Sequence, residues 1–309
     1  MDATTLKPRA LKPGDTIAVV SPASPLVEDK TVFIRELLEA EGYRVTFAKH
    51  CFDADEYLAG TDQDRATDLM GAFLDPQVDA VLCSRGGYGC ARLIPFLDFE
   101  AIVATRKLFV GFSDITTLHL ALNNRGLPTL HAPMALTLHY PREEWVYTSF
   151  KKALRGEDPL VPEAPRAQTL VGGAAEGMLV GGCLILMTDS IGTANPLDAD
   201  GKLLLIEDVD ENPHRVDAMF THLLNSGIAQ KAAGFVIGEM TRSDERRDEG
   251  IGGKPWREIV RDRIAPLGKP AVIDFPFGHC KNMLSLPLGI RARLDADAGV
   301  LTYLESACE

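Results

Sequence analysis

The first third of the chain repeats one pattern: a short apolar run, a loop rich in Ser, Gly or Pro, then apolar residues at helical spacing. Thr16-Ile17-Ala18-Val19-Val20 runs into Ser21–Pro25 and then into 29–41, where Val32, Ile34, Leu37 and Leu38 share a face. Tyr43–Phe47 reads as a second strand, and 61–74 as a helix carrying Ala66, Leu69, Met70 and Phe73. Ala80–Cys83 leads through Ser84-Arg85-Gly86-Gly87-Tyr88-Gly89 into a helix over 90–97, and Lys107–Phe112 is a fourth strand. Near-continuous apolar strands alternating with helices predict an α/β fold whose parallel sheet is covered on both faces. Ligands of such sheets gather at the carboxyl ends of the strands. The loops 21–25, 84–89 and 111–114 all follow strands at that end, so they are expected to be neighbours.

Beyond Thr129-Leu130-His131-Ala132-Pro133-Met134 the character changes. Gly156–Pro165 holds Pro159, Pro162 and Pro165 and cannot be a central strand or helix. We read residues 1–155 as an N-terminal domain, 156–175 as a linker region and 176–309 as a C-terminal domain. The second domain offers strands at 178–180, 202–206, 233–237 and 270–273, helices over 216–224 and 256–265, and a closing hairpin from 292–294 and 300–304. Two domains also suit a chain of 309 residues.

A formal charge of −12 repels phosphate backbones and anionic lipid, which argues against nucleic-acid and membrane partners. The first ten residues contain no apolar targeting segment, no apolar run is long enough to span a bilayer, and the six scattered cysteines lack a CxxC pair. A cytoplasmic, reducing location is the expectation. No HExxH, clustered Cys/His or Asp-rich loop points to a metal, and no cofactor is expected.

The run Leu108–Gly111, Phe112, Ser113, Asp114 and the following helical stretch have the form that presents a nucleophile on a sharp strand-to-helix turn. It is not a GxSxG elbow, and taken alone Ser113 or Asp114 reads more readily as a helix cap. As a nucleophile, Ser113 would have the amide of Asp114 available to a developing oxyanion. The glycine loop 84–89 admits three readings: a tight turn, a phosphate cradle lacking the P-loop lysine, or a second oxyanion donor at Gly86 or Gly87. A serine needs a base and the base a carboxylate. His119 and His222 fall on helix faces and suit structural roles. His279 sits in a loop after a strand, and Glu207 and Asp208 end the apolar run Leu203–Ile206.

These residues resemble the LD-carboxypeptidases, serine peptidases that include muramoyltetrapeptide carboxypeptidases and microcin self-immunity peptidases. The resemblance runs in order through Lys12-Pro13-Gly14-Asp15, Ser84–Gly89, Gly111–Asp114, His131–Met134, Ile206–Val209, Gly278-His279 and Leu286–Gly289. It implies a Ser113, Glu207, His279 triad. It also implies a flavodoxin-like N-terminal domain, a smaller C-terminal α/β domain with the active site between them, and often a homodimer. Cys183 and Ala132 depart from the family's usual Asn and Gly. The expected substrate is a murein tetrapeptide that loses its terminal D-alanine at an L,D-type bond, with Arg85 receiving the terminal carboxylate and Tyr88 beside it. A peptide–nucleotide antibiotic is the alternative, favoured less because neither Trp145 nor Trp256 sits in an obvious inserted loop. A non-catalytic two-lobed binder and a general esterase are more distant rivals.

Overall fold

The computed structural model describes residues 6–309; residues 1–5, part of the start read above as lacking a targeting segment, lie outside the described residues. The chain forms two compact units. The first comprises everything up to Pro159 together with Ser285–Gly289 and Ser306–Glu309; the second comprises Leu160–Leu284 and Ile290–Glu305.

Strands β1 (Thr16–Val20), β2 (Arg44–Phe47), β3 (Ala80–Cys83), β4 (Leu108–Gly111) and β5 (Thr129–His131) build the first sheet. The second sheet takes β6 (Gln168–Val171), β7 (Ala174–Cys183), β8 (Leu203–Val209), β9 (Gly234–Thr241) and β10 (Ala271–Ile273). Strand β11 (Leu286–Leu288) returns to the first sheet, and β12 (Arg291–Asp295) and β13 (Val300–Tyr303) complete the second.

The first sheet has the order β2-β1-β3-β4-β5, all parallel, with β11 added antiparallel at the β5 edge. The parallel pairing is the one expected from the repeated strand–helix pattern, and the strand order is the flavodoxin-like one that the resemblance implies. Each of β1, β3 and β4 is buried along its length, as strands covered on both faces must be. On one face Ile17, Val19, Leu82 and Val110 pack with Ile34, Leu38, Phe150 and Leu154. Pro287 is tolerated in β11 because that strand is an edge.

In the second sheet β7, β8, β9 and β10 run parallel, while β6, β12 and β13 join antiparallel. The hairpin β12–β13 falls where the sequence places it, with Leu294 opposite Leu301. The proline-rich stretch 156–165 holds no strand or helix. The residues after it belong to the second unit, and β6 pairs there with β10. Its mostly exposed, polar start, Gln168-Thr169, hides it from an apolar-run search. Among the described residues no helix is long and apolar enough to cross a membrane.

Helix Thr116–Asn123 packs His119 against β4 with no exposed surface, its Nε2 bonded to the Gly111 carbonyl at 2.9 Å. Burial pushes this imidazole from 6.5 down to about 3, against a smaller upward pull from Gly111. The unfolded chain therefore takes up a proton that the folded one refuses. Stability from the neutral ring is complete above 6.5 and is lost as pH falls toward 3. Urea unfolding at pH 7 and pH 5 should show His119→Gln losing about 1–2 kcal/mol less than wild type over that interval.

Candidate functional site

The first unit holds a strained turn. Ser113 directly follows Phe112 at the end of β4 and has φ of 67°, a left-handed conformation that costs a non-glycine residue on the order of 1–3 kcal/mol. A single turn, Ser113–Ile115, then feeds helix Thr116–Asn123. The residues occupying the N-cap positions of these segments are Phe112 and Ile115, and neither caps by side chain. Asp114, by contrast, is 2% exposed and reaches across to accept the Cys90 amide at 2.8 Å. Its carboxyl serves the helix beginning at Cys90 rather than its own. Burial raises its pKa, and the bond from Cys90 and the charge of Arg65 oppose that.

The glycine loop lies against this turn. A Cβ at Gly86 would sit 2.7 Å from the Ser113 Cβ and 2.9 Å from its Oγ, so only glycine lets the two backbones approach this closely. The Ser21–Pro25 loop joins them. Ser84 Oγ and Ser21 Oγ are 2.6 Å apart, Ser21 Oγ donates to the Cys51 carbonyl at 2.7 Å, and the Tyr88 amide donates to Ser24 Oγ at 3.3 Å. The expected neighbourhood of three loops is present. Arg85 is half-buried and donates to the carbonyls of Gly86 (3.2 Å) and Pro25 (3.3 Å); among the described residues it has no carboxylate partner. Gly87 is exposed, and so is Tyr88, whose ring lies 5.8 Å from that of Tyr57.

The second unit holds a carboxylate–imidazole pair. Glu207 lies in β8 with no exposed surface, and its Oε2 is 2.7 Å from Nδ1 of His279 and accepts the His279 amide at 3.1 Å. The side chain of His279 is 17% exposed. Gly278 makes the approach possible: its φ is 87°, and a Cβ there would lie 2.4 Å from Glu207 Cγ. Burial alone would lower the His279 pKa; the charge and hydrogen bond of Glu207, with help from Asp208, outweigh it, and the net shift is upward from 6.5.

The sequence reading set Asp208 beside Glu207 at the end of an apolar run without giving it a role of its own, and it passed over Arg65. Asp208 is 2% exposed and holds the turn after β7, accepting from the Ile185 amide at 2.9 Å, the Val209 amide at 2.7 Å and Cys183 Sγ at 3.6 Å. Burial and the charge of Glu207 push it up to about 7. Arg65, 1% exposed, lies among the loops of the first unit. An arginine in a polar helix reads as a solvated face, and only its contacts reveal otherwise. His119 has its structural partner as expected, whereas His222 is solvent-exposed.

NMR titration should place the His279 pKa above 6.5, and Glu207→Gln should lower it, because burial then acts without the opposing charge. Gly278→Ala should lower it too and cost at least about 1–2 kcal/mol in urea unfolding, since the new Cβ is forced into a left-handed backbone.

The LD-carboxypeptidase N-terminal domain model matches residues 17–132, and the LD-carboxypeptidase C-terminal domain model matches 176–294. A Streptomyces coelicolor protein bearing a carboxypeptidase name is 41% identical over 309 residues, covering 96% of each chain. A Bacillus subtilis protein named a probable murein peptide carboxypeptidase is 37% identical, covering 94% of this chain and 91% of its own. Among solved structures, a wild-type microcin C7 self-immunity protein in its apo state aligns with a TM-score of 0.85 at 24% identity, over 98% of this chain and 99% of its own, a likeness of fold. Family models on both halves, and relatives this similar over nearly their whole length, establish that the chain belongs to the LD-carboxypeptidase family and is a serine carboxypeptidase, a hydrolase.

Proposed function

We propose that this chain releases the terminal D-alanine of a murein tetrapeptide by cleaving its L,D-type peptide bond, with Ser113, Glu207 and His279 as the triad. The observation that carries this reading is the buried Glu207 on Nδ1 of His279. It selects the tautomer whose Nε2 accepts a proton, and it stabilises the imidazolium that results. The left-handed Ser113 at a strand end, with Gly86 packed on it, supports the nucleophile role.

The proton of Ser113 Oγ passes to His279 as Oγ bonds the carbonyl carbon of the penultimate residue. The amides of Asp114 and of Gly86 or Gly87 hold the negative oxygen. The C–N bond then breaks, His279 returns the proton to the leaving amine, and D-alanine departs. Water, deprotonated by the same histidine, releases the shortened peptide. Arg85 is assigned to the terminal carboxylate and Tyr88 to the wall beside it. We place the reaction in the cytoplasm, in the recycling of wall peptides, and in a homodimer; six free cysteines support a reducing compartment. A peptide–nucleotide substrate is the second reading, and the fold likeness to the self-immunity protein supports it.

Purified enzyme given the tetrapeptide should release D-alanine, and Ser113→Ala should remove nearly all turnover. The acid limb of kcat/KM should fall above 6.5, since only neutral His279 can act as base and its pKa is raised. Arg85→Ala should raise KM for tetrapeptide. Turnover of a peptide–nucleotide conjugate with no D-alanine released would replace the first reading by the second.

A further inference from the structure

One of the two amides assigned to the oxyanion, that of Gly86 or Gly87, lies in a loop with glycine at 86, 87 and 89, and glycine loses more conformational freedom on ordering than any other residue. Something outside the loop has to hold it in place. At its exit a single peptide bond is held from both sides. The Gly89 carbonyl accepts from Arg65 Nη1 at 3.1 Å, and the Cys90 amide, the other half of that peptide, donates to Asp114 Oδ2 at 2.8 Å. Asp114 is the residue next to Ser113. Arg65 Nη1 also donates to the Pro22 carbonyl at 2.5 Å, tying in the Ser21–Pro25 loop, and its Nη2 bonds Asp62.

The side chain of Arg65 has no exposed surface, and among the described residues its Nε finds no partner. Burying a guanidinium with an unsatisfied donor is costly, and an apolar residue would fill the helix face with less penalty. What an apolar residue could not do is hold two carbonyls from two loops. We propose that Arg65 and Asp114 are positioning residues that clamp the Gly89–Cys90 peptide and thereby aim the glycine-loop amides at the oxyanion formed on Ser113. The proposal rests on the reaction set out above.

The test uses the full-length enzyme and two readouts: kcat and KM on tetrapeptide, and the rate at which a small fluorophosphonate labels Ser113, which needs an oxyanion site but no peptide recognition. Arg65→Gln should lower kcat and the labelling rate together by about 10- to 100-fold, with KM nearly unchanged, as expected for misplacement on the order of 1 Å. Arg65→Lys, which can still reach the carbonyls, should recover most of the loss. A folded Arg65→Gln that keeps both rates, or that changes KM alone, would overturn the clamp. If Arg65→Gln fails to fold, Asp114→Ala, which removes the acceptor of the Cys90 amide, decides: kcat and the labelling rate should fall together with KM nearly unchanged, and a folded Asp114→Ala that keeps both rates overturns the clamp. Labelling of wild type that Arg65→Gln slows, without D-alanine release, sinks the tetrapeptide reading and leaves the clamp standing. No labelling of wild-type Ser113 sinks both.

Discussion

Parallel pairing in register is the constraint on which the first unit depends. Because Val20 of β1 lies beside Cys83 of β3, and Leu82 beside Val110 of β4, three strands end at one edge of the sheet. Their following loops have no choice but to meet. The hydrogen bonds Ser21 to Ser84, Tyr88 to Ser24 and Cys90 to Asp114 are consequences of that shared edge. Antiparallel hairpins would have sent alternate loops to opposite ends and left Ser113 without the glycine loop.

The second unit uses the same device. Strands β7 and β8 run parallel, with Cys183 beside Glu207, so the turn after one strand and the acids of the next are adjacent. Asp208 fastens that turn, and Glu207 faces the loop carrying Gly278 and His279. A carboxylate with no exposed surface is costly to bury unless its charge is answered. His279 answers it twice, through its backbone amide and its ring.

Much of this was legible residue by residue. The apolar runs of β1, β3, β4 and β8 marked themselves, because strands buried on both faces have no polar alternation to confuse the reading. Glu207 and His279 could be singled out because each follows such a run. Strand β6 was not legible, since an edge strand beginning Gln168-Thr169 carries no apolar signature. Nor was the return of β11 to the first sheet, for a three-residue segment containing Pro287 gives no local sign of which sheet it will join. The burial of Arg65 and the turn-fastening role of Asp208 were not legible for a related reason. A charge in a helix, or at a strand end, is ordinarily solvated, and burial is a property of what packs around it.

By itself, then, the sequence determined the alternation of strands and helices, the parallel sheet of the first unit and the closing hairpin expected from 292–294 and 300–304, and it set Ser113, Glu207 and His279 apart as candidates for acyl chemistry. These follow from local periodicity and from the side chains themselves. Tertiary structure alone decided that Ser113 takes a left-handed backbone, that Asp114 caps a helix other than its own, and that Gly86 and Gly278 are required by contacts of under 3 Å to Ser113 and Glu207. Each of these depends on atoms brought together from segments far apart in the chain, a distance that no local pattern of residues encodes.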